Sequence, residues 1–113
     1  GRATPLIEAA RLGDVASIEA LLAAGADIHA SDSHKGTALS EAILYGRHDV
    51  VKMLIGKGAK VDATVTVLQM PLLTLAAIRR DAAMIQTLVE AGAPVNAADV
   101  TGATPLHWAA YGD

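Results

Sequence analysis

The sequence predicts an all-α solenoid built from repeated pairs of helices. One short pattern, a threonine, proline and leucine followed by two alanines, is most complete at 104–110 and returns in looser form from Thr4, Thr37 and Pro71. These four starting positions are spaced by 33, 34 and 33 residues. A fixed period of this length is typical of repeat proteins, in which each unit buries its apolar face by stacking on its neighbours. Glycines at matching positions are a second observation that agrees with this period.

The first helix of each repeat is predicted from its opening residues. A threonine side chain accepts a hydrogen bond from a free N–H group of the first helical turn, and a proline at the next position already has the helical φ. The leucine and the alanine pair then lie on one helical face, where small side chains let a second helix come close. We therefore expect helices to begin after Thr4, Thr37, Pro71 and Thr104.

The second helix follows a mid-repeat glycine in the first two copies, Gly13 and Gly46, and ends at another glycine. Its apolar residues in the three copies are Val15, Ile18, Leu21 and Leu22; Val50, Val51, Met53, Leu54 and Ile55; and Ile85, Leu88 and Val89. The closing glycines are Gly25, Gly58 and Gly92, each followed by alanine. Glycine most readily takes the left-handed conformation that ends a helix, so we expect positive φ at these three residues.

Together these motifs resemble the ankyrin repeat. The resemblance rests on the period, on the Thr-Pro-Leu-His-Trp-Ala string at 104–109, and on the strings Gly-Ala-Asp-Ile-His-Ala at 25–30 and Gly-Ala-Pro-Val-Asn-Ala at 92–97. It implies two antiparallel helices per repeat, a β-hairpin finger after them, and a concave face made from fingers and first helices. Residues 1–113 would then be a single ankyrin-repeat domain, with repeats at about 4–36, 37–70 and 71–103 and a partial fourth at 104–113.

Two turns depart from the ankyrin pattern. In the first finger the glycine comes one residue late, so either Lys35 adopts a positive φ or the turn is built differently. In the third repeat Arg80 stands where the other repeats have their mid-repeat glycine. This substitution costs about 1 kcal/mol if the position requires a positive φ.

The second finger, at 63–70, departs further, because it has one extra residue and lacks the turn aspartate and glycine. Its sequence predicts a β-branched alternating strand followed by an apolar tip that contains Val67, Leu68 and Met70. Two alternatives follow. Either this tip is exposed and contacts a partner, or the longer finger folds back and packs onto the neighbouring helices.

Composition argues against several classes of function. The 113 residues have a net charge of −3 and no basic stripe, so we expect no nucleic-acid partner. The chain has no cysteine, which excludes disulfides, cysteine–zinc sites and thiol nucleophiles and is compatible with the cytoplasm, the location that we expect. No run approaches the roughly 20 apolar residues that span a bilayer, and no signal-peptide pattern is present, so we expect no membrane partner.

The sequence has no arrangement that predicts catalysis or cofactor binding. The four histidines, His29, His34, His48 and His107, occupy different repeat positions, and none forms an i, i+4 pair of metal ligands. His107 resembles the structural histidine of ankyrin repeats, which hydrogen-bonds to backbone near the helix starts. We therefore predict a chain that is not an enzyme, with no catalytic residue, no metal site and no cofactor.

The ankyrin resemblance places partner contacts at the finger tips and at the two residues after each alanine pair. In this sequence those positions are Arg11, Leu12, Ser33, His34, Leu44, Tyr45, Val67, Leu68, Met70, Ile78, Arg79, Val100, Thr101 and Tyr111. Tyrosine and arginine often anchor interfaces, and we expect Tyr45, flanked by Leu44 and Ile78, at the centre. The alternative is that Leu12, Leu44 and Ile78 are partly buried between first helices.

The predicted function is a non-enzymatic protein–protein interaction module that binds another protein through its concave face. One alternative is a regulatory or inhibitory ankyrin domain that docks on an enzyme, within a longer chain or as a separate protein. Another is a structural spacer. We expect a monomer, and the alternative is end-to-end self-association at the uncapped C-terminal end.

Overall fold

The computed structural model describes residues 4–33, 35–62, 64–65, 70–97, 101–102 and 104. The chain forms two compact units, Gly1–Lys60 and Val61–Asp113. Among the described residues there are six helices and one two-stranded sheet. The partial fourth repeat predicted at 104–113 lies outside the described residues, apart from Thr104.

The first unit consists of two helical hairpins. Its helices are α1 (Pro5–Leu12), α2 (Val15–Ala23), α3 (Ala38–Leu44) and α4 (His48–Gly56). Helix α1 packs on both α2 and α3, and α3 packs on α4. The largest side chains buried between them are Ile7, Ile18, Ile43 and Leu54. Each hairpin thus buries one apolar face against its partner helix and, through the first helices, against the next hairpin.

The predicted starts of α1 and α3 are confirmed. The Thr4 Oγ1 accepts a hydrogen bond from the Ile7 N–H at 3.1 Å, with Pro5 at the first helical position. At Thr37 the cap is reciprocal: the Ser40 N–H donates to Thr37 Oγ1 at 3.2 Å, and the Thr37 N–H donates to Ser40 Oγ at 2.8 Å. Two donors at this helix start are therefore satisfied within four residues.

The second helices end as predicted, at glycines with positive φ. The φ angles of Gly25, Gly58 and Gly92 are 96°, 97° and 97°. In each case the glycine N–H donates to the carbonyl three residues earlier, and the following alanine N–H donates to the carbonyl five residues earlier. These two hydrogen bonds satisfy carbonyl groups in the last turn of the helix. They require the left-handed conformation, which glycine adopts without strain.

Both departures in the turns also have positive φ, 64° at Lys35 and 58° at Arg80. The Arg80 N–H donates to the Ala77 carbonyl at 3.0 Å, the bond that Gly13 and Gly46 make at 3.2 Å at the ends of α1 and α3. Arg80 therefore adopts a backbone conformation that is favourable for glycine but not for a residue with a side chain. This is the condition under which we expected a cost.

The second unit begins with a short antiparallel sheet. Its elements are β1 (Thr64–Val65), β2 (Met70–Pro71), α5 (Leu72–Ile78) and α6 (Ala82–Glu90). Thr64 lies opposite Pro71, and Val65 lies opposite Met70. The strand predicted in the second finger is therefore present. It pairs with Met70 and Pro71, the last residue of the second repeat and the first of the third.

Met70 corrects the expectation that the whole finger tip is exposed. Its side chain is 8% exposed, because strand pairing holds it directly before α5, which is almost entirely buried. The fold-back alternative is thus correct for Met70. Val67 and Leu68 lie outside the described residues.

Helix α5 begins without a side-chain cap, since the residue at its N-cap is Pro71. Thr74 occupies the position that Ser40 holds in α3, yet its Oγ1 is buried and has no hydrogen-bond partner. Proline has no N–H group, so the reciprocal bond made by Ser40 cannot form here. In α6 the fully buried residues are Met84 and Leu88, while Val89, expected from the pattern, is 41% exposed.

Candidate functional site

The predicted contact residues fall into three groups. Those in the first unit are Arg11, Leu12, Ser33, Leu44 and Tyr45, and those described in the second unit are Met70, Ile78, Arg79 and Thr101. His34, Val67, Leu68, Val100 and Tyr111 lie outside the described residues. The first unit brings four of its five together at the C-terminal ends of α1 and α3.

These helix ends present apolar side chains to solvent. Leu12 is 69% exposed, Leu44 39% and Tyr45 50%, and the two helices that carry them pack directly against each other. In the second unit Ile78 is 44% exposed at the end of α5. The alternative in which all three are partly buried does not hold for Leu12, which is mostly exposed, whereas Leu44 and Ile78 each have more than half of their surface covered.

Arg11 organises the surface around Tyr45. Its Nη1 donates to Glu8 Oε1 at 2.6 Å and its Nη2 donates to Glu41 Oε1 at 3.2 Å, so one guanidinium joins α1 to α3. Its guanidinium carbon lies 5.8 Å from the centre of the Tyr45 ring, within the range of a cation–π contact. The hydrogen bond to Glu41, with the negative charges of Glu41 and Glu8, raises the pKa of Arg11. Arg11 thus contacts the Tyr45 ring while it is hydrogen-bonded to both glutamates.

Arg47 is a structural contributor that the sequence analysis did not single out. It stands at the N-cap of α4, at the repeat position held by the capping residues Asp14 and Asp81, but its side chain caps nothing there. Its Nε instead donates to the carbonyl oxygen of Arg11 at 2.9 Å, near the end of α1. The sequence did contain a signal for this role: the other two repeats have an aspartate, which accepts hydrogen bonds, at this position, whereas arginine can only donate them. Its charge also suits the negative end of the α1 dipole.

A shallow depression of about 480 Å³ lies beside Leu12. Its lining residues are Pro5, Glu8, Ala9, Leu12, Asp14, Ser17, Ala20 and Leu21. The Asp14 carboxylate accepts from the Ser17 Oγ at 2.7 Å and from the Ser17 N–H at 3.2 Å. These bonds, with the hydroxyl contributing most, lower the pKa of Asp14 and keep it ionised. Glu8 and Asp14 were not predicted as contact residues, although Glu8 is one helical turn from Leu12.

Met70 is buried and therefore does not belong to an exposed contact surface. Ile78 and Arg79, at the end of α5, are exposed, as are Ser33 and Thr101. Exposure is the property that a contact residue needs, but it does not show contact. The contact roles of these residues stay predictions.

The described part of the chain contains neither a candidate metal-binding cluster nor a candidate membrane-spanning helix. There, no group of three or more histidine, aspartate or glutamate side chains lies close enough together to hold a metal ion. None of the helices α1–α6 has the length and apolar character needed to cross a bilayer.

Three curated proteins illustrate what the chain is similar to. It is 38% identical over 109 residues to the probable E3 ubiquitin-protein ligase XBOS31 of Oryza sativa subsp. japonica, covering 94% of this chain and 24% of that protein. It is 30% identical over 102 residues to the palmitoyltransferase Hip14 of Drosophila melanogaster, covering 90% of this chain and 16% of that protein. It is 33% identical over 110 residues to the glycerophosphocholine phosphodiesterase gde1 of Schizosaccharomyces pombe, covering 96% of this chain and 10% of that protein. The chain thus spans about a quarter or less of the length of these relatives.

Family sequence models account for most of the chain. The model of ankyrin repeats in three copies matches residues 1–65, and that of ankyrin repeats in many copies matches residues 73–113. Both matches agree with the helical hairpins, the glycine helix ends and the spacing of 33 or 34 residues. The chain belongs to the ankyrin-repeat family, and its fold class is all-α.

Proposed function

We propose that this chain is a non-enzymatic module that binds a partner protein through its first helices and finger tips. Ankyrin repeats are protein-interaction modules, which supports the general class of function. The observation that favours this surface is the exposed apolar group Leu12, Leu44 and Tyr45 at the adjoining ends of α1 and α3. Adjoining exposed apolar side chains of this size often mark a contact surface.

Tyr45 is the best candidate for an anchor within this group. An aromatic side chain contributes a large contact area with few rotatable bonds, so ordering it on binding costs little. The contact with Arg11, which is itself held by Glu8 and Glu41, restrains the ring before a partner arrives. An aromatic residue that contacts an arginine and lies at the same helix ends as two exposed leucines has the properties of an interface hot spot.

The test is to select binding peptides from a displayed peptide library and to measure their affinity by fluorescence polarisation. Tyr45→Ala should lower affinity by about thirtyfold, which corresponds to a loss of about 2 kcal/mol. Val89→Ala is a matched control, because Val89 is similarly exposed but lies on a second helix. If Val89→Ala weakens binding and Tyr45→Ala does not, the surface is misassigned.

Two residues of the second finger extend the test. Leu68→Asp should also weaken binding, because it places a charge where a desolvated apolar contact is expected. Met70→Ala should instead lower the free energy of unfolding by about 2 kcal/mol and leave affinity unchanged, since Met70 is buried. Raised salt should have little effect on the apolar part of the contact.

A second candidate is a regulatory or inhibitory domain that docks on an enzyme, and the relatives favour it. All three are named as enzymes, and the matched region covers 24%, 16% and 10% of their lengths. If a catalytic domain occurs in the same natural chain, deletion of residues 1–113 should raise its basal activity under this hypothesis. If the chain instead only recruits a partner, the same deletion should abolish binding of that partner and leave the basal activity unchanged.

We further propose that the chain is a monomer and that it acts in the cytoplasm. The lack of cysteine is compatible with that compartment. Sedimentation equilibrium would reveal end-to-end association as a mass that increases with concentration. A fluorescent fusion would show the location.

A further inference from the structure

We infer that the depression beside Leu12 binds a partner segment that carries a basic side chain next to an apolar one. This inference rests on the proposed function, because it specifies the chemistry of the partner at one part of the same surface. It concerns Glu8, Leu12, Asp14 and Leu21, which line the depression of about 480 Å³ in the first unit.

The apolar half of the argument is the exposed rim and floor. Leu12 is 69% exposed, more than any other large apolar residue described, and it stands at the edge of the depression. Pro5, Ala9 and Leu21 line the same depression, so an apolar side chain entering it meets carbon atoms on several sides. Burial of such a side chain removes both surfaces from water.

The charged half is the pair of carboxylates in the same lining. Glu8 and Asp14 both line the depression, and none of the lining residues that the structure describes is a lysine or an arginine. One oxygen of Glu8 accepts from Arg11, and the carboxylate of Asp14 accepts from Ser17. The side chain of Glu8 is half exposed, so it is not enclosed by its contact with Arg11. A lysine or arginine beside the apolar anchor would complement these charges.

The two described cations nearest the depression, Arg11 and Arg47, do not cancel the negative charge of these carboxylates. Arg11 is shared between Glu8 and Glu41, so the three groups together keep one net negative charge. The Nε of Arg47 donates a hydrogen bond to the Arg11 carbonyl at the end of α1. Arg47 is not one of the residues that line the depression. A second copy of the chain is a less favourable occupant, because each copy has a net charge of −3.

The decisive variant is the double substitution Glu8→Gln and Asp14→Asn. It removes both charges with little change in size, and asparagine can still cap α2. The matched control is Glu19→Gln with Glu90→Gln, which removes the same number of charges from exposed positions on the second helices α2 and α6. Circular dichroism and urea unfolding confirm that all variants are folded before binding is compared.

The probes are octapeptides selected on the wild-type chain from a displayed random library and then synthesised with a fluorescent label. We expect lysine or arginine to be enriched beside leucine, isoleucine or phenylalanine. The double variant should bind these peptides about tenfold more weakly at low salt, with the difference shrinking as salt is raised, while the control double variant binds like wild type.

Three results would overturn the inference. Selected peptides that are acidic or neutral, or that bind the double variant as well as wild type, would refute it and leave the proposed function standing if Tyr45→Ala still weakens them. A dimer in sedimentation equilibrium that Leu12→Asp dissociates would assign the depression to a second copy of the chain. If no peptide binds above background, the proposed function fails together with the inference.

Discussion

Thr74 offers a sharp test of how the third repeat is packed. Its side chain is fully buried, and its Oγ1 has no hydrogen-bond partner among the residues that the structure describes, because Pro71 at the N-cap has no N–H group to offer. A buried hydroxyl without a partner costs about 1–3 kcal/mol. Thr74→Val replaces it with a methyl group and keeps the branched shape, so we expect the free energy of unfolding to rise by about 1 kcal/mol.

Ser40 is the internal reference for this change, since it holds the same repeat position in α3. Its hydroxyl accepts from the Thr37 N–H at 2.8 Å and donates to the Thr37 carbonyl at 3.0 Å. Ser40→Ala should therefore destabilise the chain by about 1–2 kcal/mol. Equivalent hydroxyl deletions in two repeats are expected to have opposite signs.

Urea unfolding and thermal melts followed by circular dichroism measure both effects. For a chain of this length, 1 kcal/mol corresponds to a change in Tm of about 4 °C. Thr74→Ser is a further control, because it keeps the hydroxyl and removes a methyl group, and it should lower stability by about 1 kcal/mol. Destabilisation by Thr74→Val would mean that the hydroxyl has a partner, and the packing argument would then be wrong.

Three other predictions concern backbone conformation and charge. Gly13→Ala should cost about 1 kcal/mol more than Gly92→Ala in urea unfolding. Both residues have positive φ, but only the new Cβ at Gly13 would lie 3.1 Å from Arg47 Cδ, so that side chain must shift and its hydrogen bond to the Arg11 carbonyl is weakened. Arg80→Gly should raise stability by about 1 kcal/mol, and no gain would show that the left-handed conformation is not strained. Asp14 has a lowered pKa in the folded chain, so its ionised form stabilises the fold above its ordinary pKa of 3.8, and this stabilisation is lost as pH falls further. Asp14→Asn should therefore lose less stability than wild type on acidification, and equal losses in acid titrations followed by circular dichroism would contradict this.

The features that the sequence predicted correctly are set by a few neighbouring residues. A threonine hydroxyl reaches an N–H group three residues away, and a glycine closes the helix immediately before it, so Thr4, Thr37 and Gly25 could be assigned without knowledge of distant contacts. A positive φ was one of two alternatives at Lys35 and a condition stated for Arg80, and it is present at both residues. The repeat period then allowed each helix start and helix end assigned in one repeat to be assigned at the matching position of the next.

The features that were missed depend on contacts between residues far apart in the chain. The bond from Arg47 to the Arg11 carbonyl joins residues 36 positions apart, and no local pattern encodes it. The burial of Met70 depends on which residues the second finger pairs with, and register cannot be deduced from a two-residue strand. The apolar group around Tyr45 was predicted as a list of positions, but the contact of Tyr45 with Arg11 and the ion pair from Arg11 to Glu41 join different repeats and follow from no local pattern.

The left-handed residues also determine where this chain can change in length. Within every repeat, the residue that ends the first helix and the one that ends the second are twelve positions apart, at Gly13 and Gly25, Gly46 and Gly58, and Arg80 and Gly92. The extra residue of the longer repeat falls outside these intervals, in the second finger. An insertion between the paired turns would rotate all later side chains of α2, α4 or α6 by roughly 100° and expose their buried faces. An insertion in a finger moves no helical face, so insertions and deletions between homologous repeats should accumulate in the fingers.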